Sequence, residues 1–342
     1  MLDPYPKVIL IPGVGLIASG SDLKTARIVS EIYEHSISVM TNASCIDTYD
    51  SLSERLAFEM DYWPMELYKL SLAPPEAEFS RQCGLVTGAA RGIGKAIAAK
   101  LAKNGAHVFL ADLKKDLIQK VAEEINQAVK AVRAFPLRMD VTDPESVREG
   151  FEKVVLQCGG FDFLVSNAGI AHVAALDELE LKDWEKSLAV NATGHFLVAR
   201  EAVRFLKRQQ LGGSIVFVVT KNVPAPGKDF GAYSAAKAAE AQLARVLAIE
   251  NGESGIRVNM INPDGVFEDS GLWEKIAPNR ARSYGIKAGK LAEFYQNRNL
   301  MKSAVSPEDV AEAAAFLISS RSAKTTGCAI PVDGGVREAF LR

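Results

Sequence analysis

Cysteine is scarce in this chain of 342 residues. Cys45, Cys83, Cys158 and Cys328 are widely scattered and form no Cys-x-x-Cys pair, so they read as buried, reduced thiols of a cytoplasmic protein. Histidine is equally sparse. His35, His107, His172 and His195 show no ligand-pair spacing, and no metal site is expected. Neither sign of charge dominates, with 40 Lys and Arg against 42 Asp and Glu. That balance leaves no electrostatic footprint for nucleic acid or an acidic membrane, and a small-molecule partner is expected instead. Long apolar runs are also missing. Val8 to Ala18 is broken by Pro12, Gly13 and Gly15, lacks a basic leader and is too short to span a membrane, so neither a secretory signal nor a membrane segment is expected. There is no internal repeat and no low-complexity tract.

What is present is a 48% hydrophobic composition, enough for one large or two ordinary domains. The organising stretch is Cys-Gly-Leu-Val-Thr-Gly-Ala-Ala-Arg-Gly-Ile-Gly, from Cys83 to Gly94. An apolar run ends at Thr87, glycines follow at Gly88, Gly92 and Gly94, and a helical pattern begins at Lys95. Side chains at those glycines would hold the backbone away from a ligand's phosphates or keep the helix off the strand. Without them, backbone N–H groups and the positive end of the helix can face a pyrophosphate. The turn reads as a dinucleotide site, although its spacing is Gly-x-x-x-Gly-x-Gly and a glycine triplet alone is weak.

Residues 1–72 read as a small α/β segment: a strand at Lys7 to Ile11, a turn from Pro12 to Gly20, and an amphipathic helix from Asp22 to Ala43 capped by Ser21 or Asp22. A second helical stretch, Ser51 to Leu72, is interrupted at Pro64. Residues 73–82 read as a linker, and one strand with two helices cannot bury much of a core. Residues 83–342 alternate short apolar runs with long helical patterns. The runs are Cys83 to Thr87, His107 to Ala111, Val132 to Arg138, Phe161 to Ser166, Ser214 to Val219, Arg257 to Ile261 and Ala329 to Val332. Helical patterns include Pro144 to Gln157, Lys182 to Lys207 and Ser234 to Glu250. Continuous apolar strands are buried on both faces, and the alternation predicts a doubly wound, Rossmann-type parallel sheet of about seven strands. Ser306-Pro307-Glu308-Asp309 predicts the start of the last helix.

Asp112 closes the second strand of this region, 18 residues after Gly94. A carboxylate there accepts both ribose hydroxyls of an adenosine and repels a 2′-phosphate, which favours NAD over NADP; a cap or turn residue is the plainer reading, and Lys114 and Lys115 soften the repulsion. Asp140-Val141 could contact the adenine or be turn chemistry. Tyr233 and Lys237, four residues apart, share one helical face. Free tyrosine, with a pKa of about 10, is a poor base near neutrality, and lowering it by about three units requires about 4 kcal/mol. One ammonium at about 4 Å supplies roughly that at an effective dielectric near 20. Lys237, helped by an oxidised nicotinamide, can therefore make Tyr233 a general base; a surface Tyr and Lys is the plain alternative.

From Cys83 to Gly335 the chain resembles the short-chain dehydrogenase/reductases. The ordered motifs are Thr87-Gly88-Ala89-Ala90-Arg91-Gly92-Ile93-Gly94, Asp140-Val141, Asn167-Ala168-Gly169, Asn191, Tyr233 with Lys237, Asn262-Pro263 and Val332-Asp333-Gly334-Gly335. The resemblance implies a dinucleotide held by Gly88, Arg91, Gly92, Ile93 and Gly94, by Asp112, Asp140 and Val141, by Asn167, Ala168 and Gly169, and by Pro263 and the Val266 backbone. It implies Tyr233 and Lys237 as catalytic and ribose-binding residues, Asn191 as holder of a relay water to Lys237, and a homodimer or homotetramer. Two positions depart from the family. Thr220 stands where a serine usually lies 13 residues before the tyrosine, and it keeps the same donor and acceptor while its methyl narrows the pocket. Asp264 and Glu268 replace the usual Gly and Thr, which puts the family's grip on the carboxamide in doubt.

Residues 264–303 read as a lid. Trp273, Tyr284, Phe294 and Tyr295 could line it and Arg280, Arg282 or Arg298 meet an anion, or these are an ordinary packing face and solvated charges. Val8 to Leu16 and the following helix resemble the end of class II aldolases, with Val14 where the metal-binding His usually stands. The whole chain resembles the C-terminal half of bacterial bifunctional class II aldolase/short-chain dehydrogenases of deoxy-sugar breakdown. That implies NAD-dependent oxidoreduction of a lactaldehyde-like compound, with a sugar alcohol as the second expectation and a non-catalytic NAD-binding sensor or scaffold as the third.

Overall fold

The computed structural model describes residues 5–72 and 74–340. The chain divides into two compact units, one ending at Arg81 and the other beginning at Gln82. In the smaller unit, β1 (Val8–Ile11) pairs antiparallel with β2 (Gly15–Ala18), Val8 opposite Ala18. The sequence predicted a turn where β2 lies. Gly13, at φ +76°, and a bond from the Val14 N–H to the Ile11 carbonyl at 3.0 Å close the turn early, leaving Leu16 and Ile17 free to pair. Three helices follow: α1 (Leu23–Ser44), α2 (Glu54–Asp61) and α3 (Pro64–Ser71). Asp22 caps α1 by accepting from the Thr25 N–H at 2.8 Å, and Pro64 opens α3 rather than kinking a longer helix. No residue of these three helices is buried.

The larger unit runs β3 (Cys83–Thr87), α4 (Gly92–Lys103), β4 (His107–Asp112), α5 (Lys115–Val129), β5 (Ala134–Arg138), α6 (Pro144–Cys158) and β6 (Phe163–Ser166). It continues through α7 (Leu181–Leu188), a π-helical turn (Ala189–Gly194), α8 (His195–Gln209), β7 (Gly213–Val218), α9 (Gly231–Asn251) and β8 (Ile256–Pro263). The last elements are α10 (Gly271–Ser283), α11 (Leu291–Arg298), α12 (Pro307–Ile318) and β9 (Ala329–Val332). The strands form one sheet in the order β5-β4-β3-β6-β7-β8-β9, every pair parallel. The seven predicted strands are all there. Strand order reverses between β3 and β6, and the carboxyl ends of those strands open the crevice where doubly wound sheets bind ligands.

The helices cover both faces. α5, α4 and α12 neighbour one another, as do α6, α8 and α9. Between them Leu85, Val86, Leu110, Phe163, Leu164, Ile215, Phe217 and Val258 are sealed from solvent, each worth about 1.5–3 kcal/mol of burial. A capping box at Ser306 and Asp309 starts α12 as the sequence predicts. The cysteines depart from expectation: Cys83 is buried, but Cys158 and Cys328 are half-buried and Cys45 is exposed. Among the described residues, no helix is long and apolar enough to cross a membrane.

Candidate active site

The glycine turn sits at the crevice. Gly88 and Gly92 have φ of +64° and +51°, a backbone that side chains rarely adopt. Gly94 is needed for packing, because a Cβ there would lie 2.3 Å from the Gly88 carbonyl oxygen. The turn is tied to its neighbours by main-chain bonds. Ala89 N–H donates to the Ala111 carbonyl at 3.2 Å, which places Asp112 beside the turn. Thr87, which the sequence reading treated only as part of a motif, is the junction to β6. Its hydroxyl accepts from the N–H of Asn167 at 2.8 Å and of Ala168 at 3.0 Å, while the Asn167 amide donates back to the Thr87 carbonyl at 2.9 Å. These residues fit a dinucleotide: a side-chain-free turn at a helix N-terminus, with Asp112 at the end of the adjoining strand.

Two contacts lay the start of α10 across that turn. The Asp269 carboxylate accepts from the Gly92 N–H at 3.4 Å, and Glu274 pairs with Arg91 at 2.7 Å. Asp140 accepts from the Thr142 N–H at 2.9 Å and from its hydroxyl at 2.7 Å, the turn chemistry that the sequence left open. Val141 packs on Gly194, whose Cβ, if present, would lie 2.9 Å from a Val141 methyl. Gly169 lies against Asn191, with 3.1 Å between its missing Cβ and the Asn191 amide oxygen. Ile93 opens α4 partly exposed, whereas Pro263 and Val266 are buried at the end of β8.

Tyr233, Thr220 and Lys237 come together beyond the carboxyl end of β7. The Asn222 N–H and side-chain amide both donate to Thr220 Oγ1 at 3.3 Å, which leaves the Thr220 hydroxyl its own proton to donate. Burial pushes the Tyr233 phenol well above its usual value, Glu240 adds to that as does Asp264, and the Thr220 hydroxyl pulls it down. Lys237 is buried; its Nζ donates to the Val218 carbonyl at 2.8 Å and lies 2.7 Å from Glu240 Oε2. Glu240, a residue the sequence reading passed over, stands in turn 3.3 Å from His195 Nδ1. Asn191 sits in the π turn with its side chain committed: it donates to the Ile170 carbonyl at 2.8 Å and Ser187 Oγ at 3.2 Å and accepts from the Ile170 N–H at 3.0 Å. Any contact from Asn191 toward Lys237 therefore falls to its main chain.

The lid is a packed body rather than an open apolar lining. Tyr295, Leu291 and Ala281 form its centre, with Phe267, Trp273, Tyr284 and Phe294 against them. Phe267 and Trp273 stack with centroids 4.3 Å apart. Two of the three arginines expected to meet an anion, Arg280 and Arg298, are already engaged. Arg280, 1% exposed, donates to Tyr295 Oη at 3.1 Å, to Tyr284 Oη and to the Lys228 carbonyl, and lies over the Phe230 ring at 4.3 Å. Phe230 meets Tyr233 edge-on at 5.3 Å, a continuous packing path from lid to phenol. Arg298 pairs with Asp264, and Arg282 is exposed. Lys221, buried beside Thr220, donates to the Ala225 carbonyl at 3.0 Å, and burial, with Arg298 nearby, lowers its pKa to about 8.

Comparison with known proteins covers both units. Residues 88–337 match the family model described as enoyl-(acyl carrier protein) reductase, and residues 1–70 match that of the second domain of class II aldolases. The chain is 47% identical over its full length to an uncharacterized oxidoreductase of Bacillus subtilis, YuxG, and spans about half (50%) of that relative's length. It is 34% identical to the D-threitol dehydrogenase of Mycolicibacterium smegmatis over 73% of this chain and 91% of that one. A solved 3-ketoacyl-(acyl-carrier-protein) reductase from Brucella melitensis, complexed with NADH, superposes with a TM-score of 0.66 at 28% identity, covering 76% of this chain and 98% of the other.

Proposed function

Since the chain belongs to the short-chain dehydrogenase/reductase family, an oxidoreductase family that uses nicotinamide dinucleotides, we propose that it is an NAD-dependent dehydrogenase of a small alcohol or hydroxyaldehyde. When bound, the nicotinamide supplies or accepts the hydride. The other roles fall to residues of the chain. Thr220 places the substrate oxygen, Tyr233 takes or returns its proton, and Lys237 stabilises the phenolate and would hold the nicotinamide ribose. The π turn at Asn191 carries the path by which that proton reaches water. The single observation that carries the reading is the buried Lys237 at the carboxyl end of β7, its Nζ donating to the Val218 carbonyl at 2.8 Å, with Tyr233 four residues before it on α9 and Thr220 two residues beyond that carbonyl.

Preference for NAD rests on Asp112, at the end of the strand that adjoins the glycine turn; its carboxylate accepts from the Lys114 N–H at 3.1 Å, a turn contact, and would repel a 2′-phosphate. The substrate proposed is lactaldehyde-like, by way of the class II aldolase match at residues 1–70. A sugar alcohol is the second reading, favoured by the D-threitol dehydrogenase relative. A reducing, cytoplasmic setting and a homodimer or homotetramer complete the proposal. The test is NADH formation and consumption by the purified chain over L-lactaldehyde, 1,2-propanediol and a sugar-alcohol panel, with NADP in parallel. Turnover of the first two with NAD supports the reading; turnover confined to sugar alcohols replaces the substrate, and dinucleotide binding with no turnover on any of them refutes it in favour of a sensor.

A further inference from the structure

We propose that Asn222 is a positioning residue whose side-chain amide makes the Thr220 hydroxyl a hydrogen-bond donor only. Both residues are buried in the loop beyond β7, Thr220 5% and Asn222 8% exposed. A threonine hydroxyl has one proton and two lone pairs, and it ordinarily turns to suit whichever partner it meets. Here both lone pairs are taken. The Asn222 N–H fills one and the Asn222 side-chain amide fills the other, each at 3.3 Å. The first is a short-range turn contact that any residue but proline would make at that position. The second needs the side chain, so the constraint on the hydroxyl comes from asparagine.

The effect depends on which end of the amide faces Thr220, since an amide oxygen there would take the hydroxyl proton. Arg280, on the lid, sets the orientation. A Cβ at Gly227 would collide with Arg280 Nη2 and lie 3.3 Å from Asn222 Oδ1, so the guanidinium and the amide oxygen meet across that glycine. The positive charge draws the oxygen end of the amide dipole and leaves the nitrogen end to Thr220. Asn222 Oδ1, which is buried, accepts no hydrogen bond from any described residue, so its orientation answers to that charge. The main chain holds the loop in place: Val223 N–H donates to the Thr220 carbonyl at 3.2 Å and Lys221 N–H to the Pro263 carbonyl at 3.1 Å. On the dehydrogenase reading above, on which the role of Asn222 rests, a donor-only Thr220 gives its proton to a carbonyl oxygen or a developing alkoxide. It cannot take the alcohol's proton, which goes to Tyr233 instead. Such a bond strengthens as charge gathers on the oxygen, so its loss falls on kcat more than on KM.

One half of the test needs no turnover. In 15N spectra of the full chain, the Asn222 side-chain amide is the signal that Asn222→Ala removes. Thr220→Val moves that signal upfield and speeds its exchange with solvent; an unmoved signal overturns the proposal. The other half is kinetic, on whichever substrate the chain turns over. Asn222→Ala lowers kcat about tenfold with KM within about threefold, the worth of one hydrogen bond to a charged transition state. In a Thr220→Val background the same exchange has no further effect, because Asn222 acts through that hydroxyl. Asn222→Asp keeps the shape but offers only acceptors, so it captures the Thr220 proton and lowers kcat more than alanine does. Aspartate milder than alanine, or a full further loss in the Thr220→Val background, is what a role in shape alone gives, and either overturns the proposal. If Asn222→Asp does not fold, the cycle of Asn222→Ala with Thr220→Val reads the coupling without it. Absence of turnover on every substrate refutes the dehydrogenase reading and leaves the 15N result to decide what Asn222 holds.

Discussion

Replacing Thr87 by valine tests the junction on which the site is built. Valine matches threonine in shape but not in hydrogen bonding, and the exchange removes an acceptor that serves two main-chain donors, Asn167 N–H at 2.8 Å and Ala168 N–H at 3.0 Å. Thr87 is 1% exposed, whereas Asn167 and Ala168 are only partly buried, so water recovers some of the loss. At about 1 kcal/mol for each net bond, Thr87→Val costs about 2 kcal/mol. In urea, with a slope of about 3 kcal/mol/M, the midpoint of the larger unit falls by about 0.7 M. Thermal unfolding falls by about 4–8 °C at the 2–4 °C per kcal/mol usual for a unit of this size. Thr87→Ser keeps the acceptor and stays within about 2 °C of the unmutated chain. A loss below about 1 °C for valine, or an equal loss for serine, refutes the junction.

Three further outcomes follow from the same geometry. Asp112→Ser removes the repulsion of a 2′-phosphate and raises the NADP-to-NAD ratio of kcat/KM about tenfold; an unchanged ratio contradicts the role given to Asp112. Asp269→Asn takes a carboxylate off the Gly92 N–H and tightens dinucleotide binding by about fivefold at low salt, about 1 kcal/mol, measured by NADH fluorescence; weaker binding contradicts it. Lys221, with a folded pKa of about 8 against about 10.5 unfolded, binds fewer protons in the folded state between those values, so stability rises with pH through that window. Lys221→Met loses this rise, and the stability difference between it and the unmutated chain shifts by about 2 kcal/mol between about pH 8 and about pH 10 in denaturant titrations; a constant difference refutes the assignment.

Most of the sheet was legible because its strands are uninterrupted apolar runs, a pattern that burial on both faces imposes. The ends were less so. Val132 and Arg133 fall outside β5 because the Asn126 side chain takes the N–H groups of Arg133 and Ala134, both at 2.8 Å. Phe161 falls outside β6 because its main chain pairs with the Gln209 amide, accepting at 2.7 Å and donating at 2.9 Å. Lys182 to Lys207 read as one helix, since one extra residue in a π turn barely disturbs the apolar period, yet that turn presents Asn191. In the site, the glycine turn, Tyr233 and Lys237 stood out by spacing. Glu240 and His195 did not, because each looks like one polar position on an amphipathic helix. A signal was there: Glu240 lies on the face of α9 that buries Ala236, Ala241, Ala244 and Ala248, where a lone carboxylate needs a partner.

In the proposed reaction Tyr233 moves the substrate proton in a dinucleotide site that exists independently of it. Turnover and NADH affinity measured side by side on the unmutated chain and Tyr233→Phe test it most directly. The expected result is a kcat lower by about 10²- to 10⁴-fold in Tyr233→Phe, the range of a lost general acid–base group, with NADH affinity within about threefold. Retained turnover, or loss of both together, contradicts it.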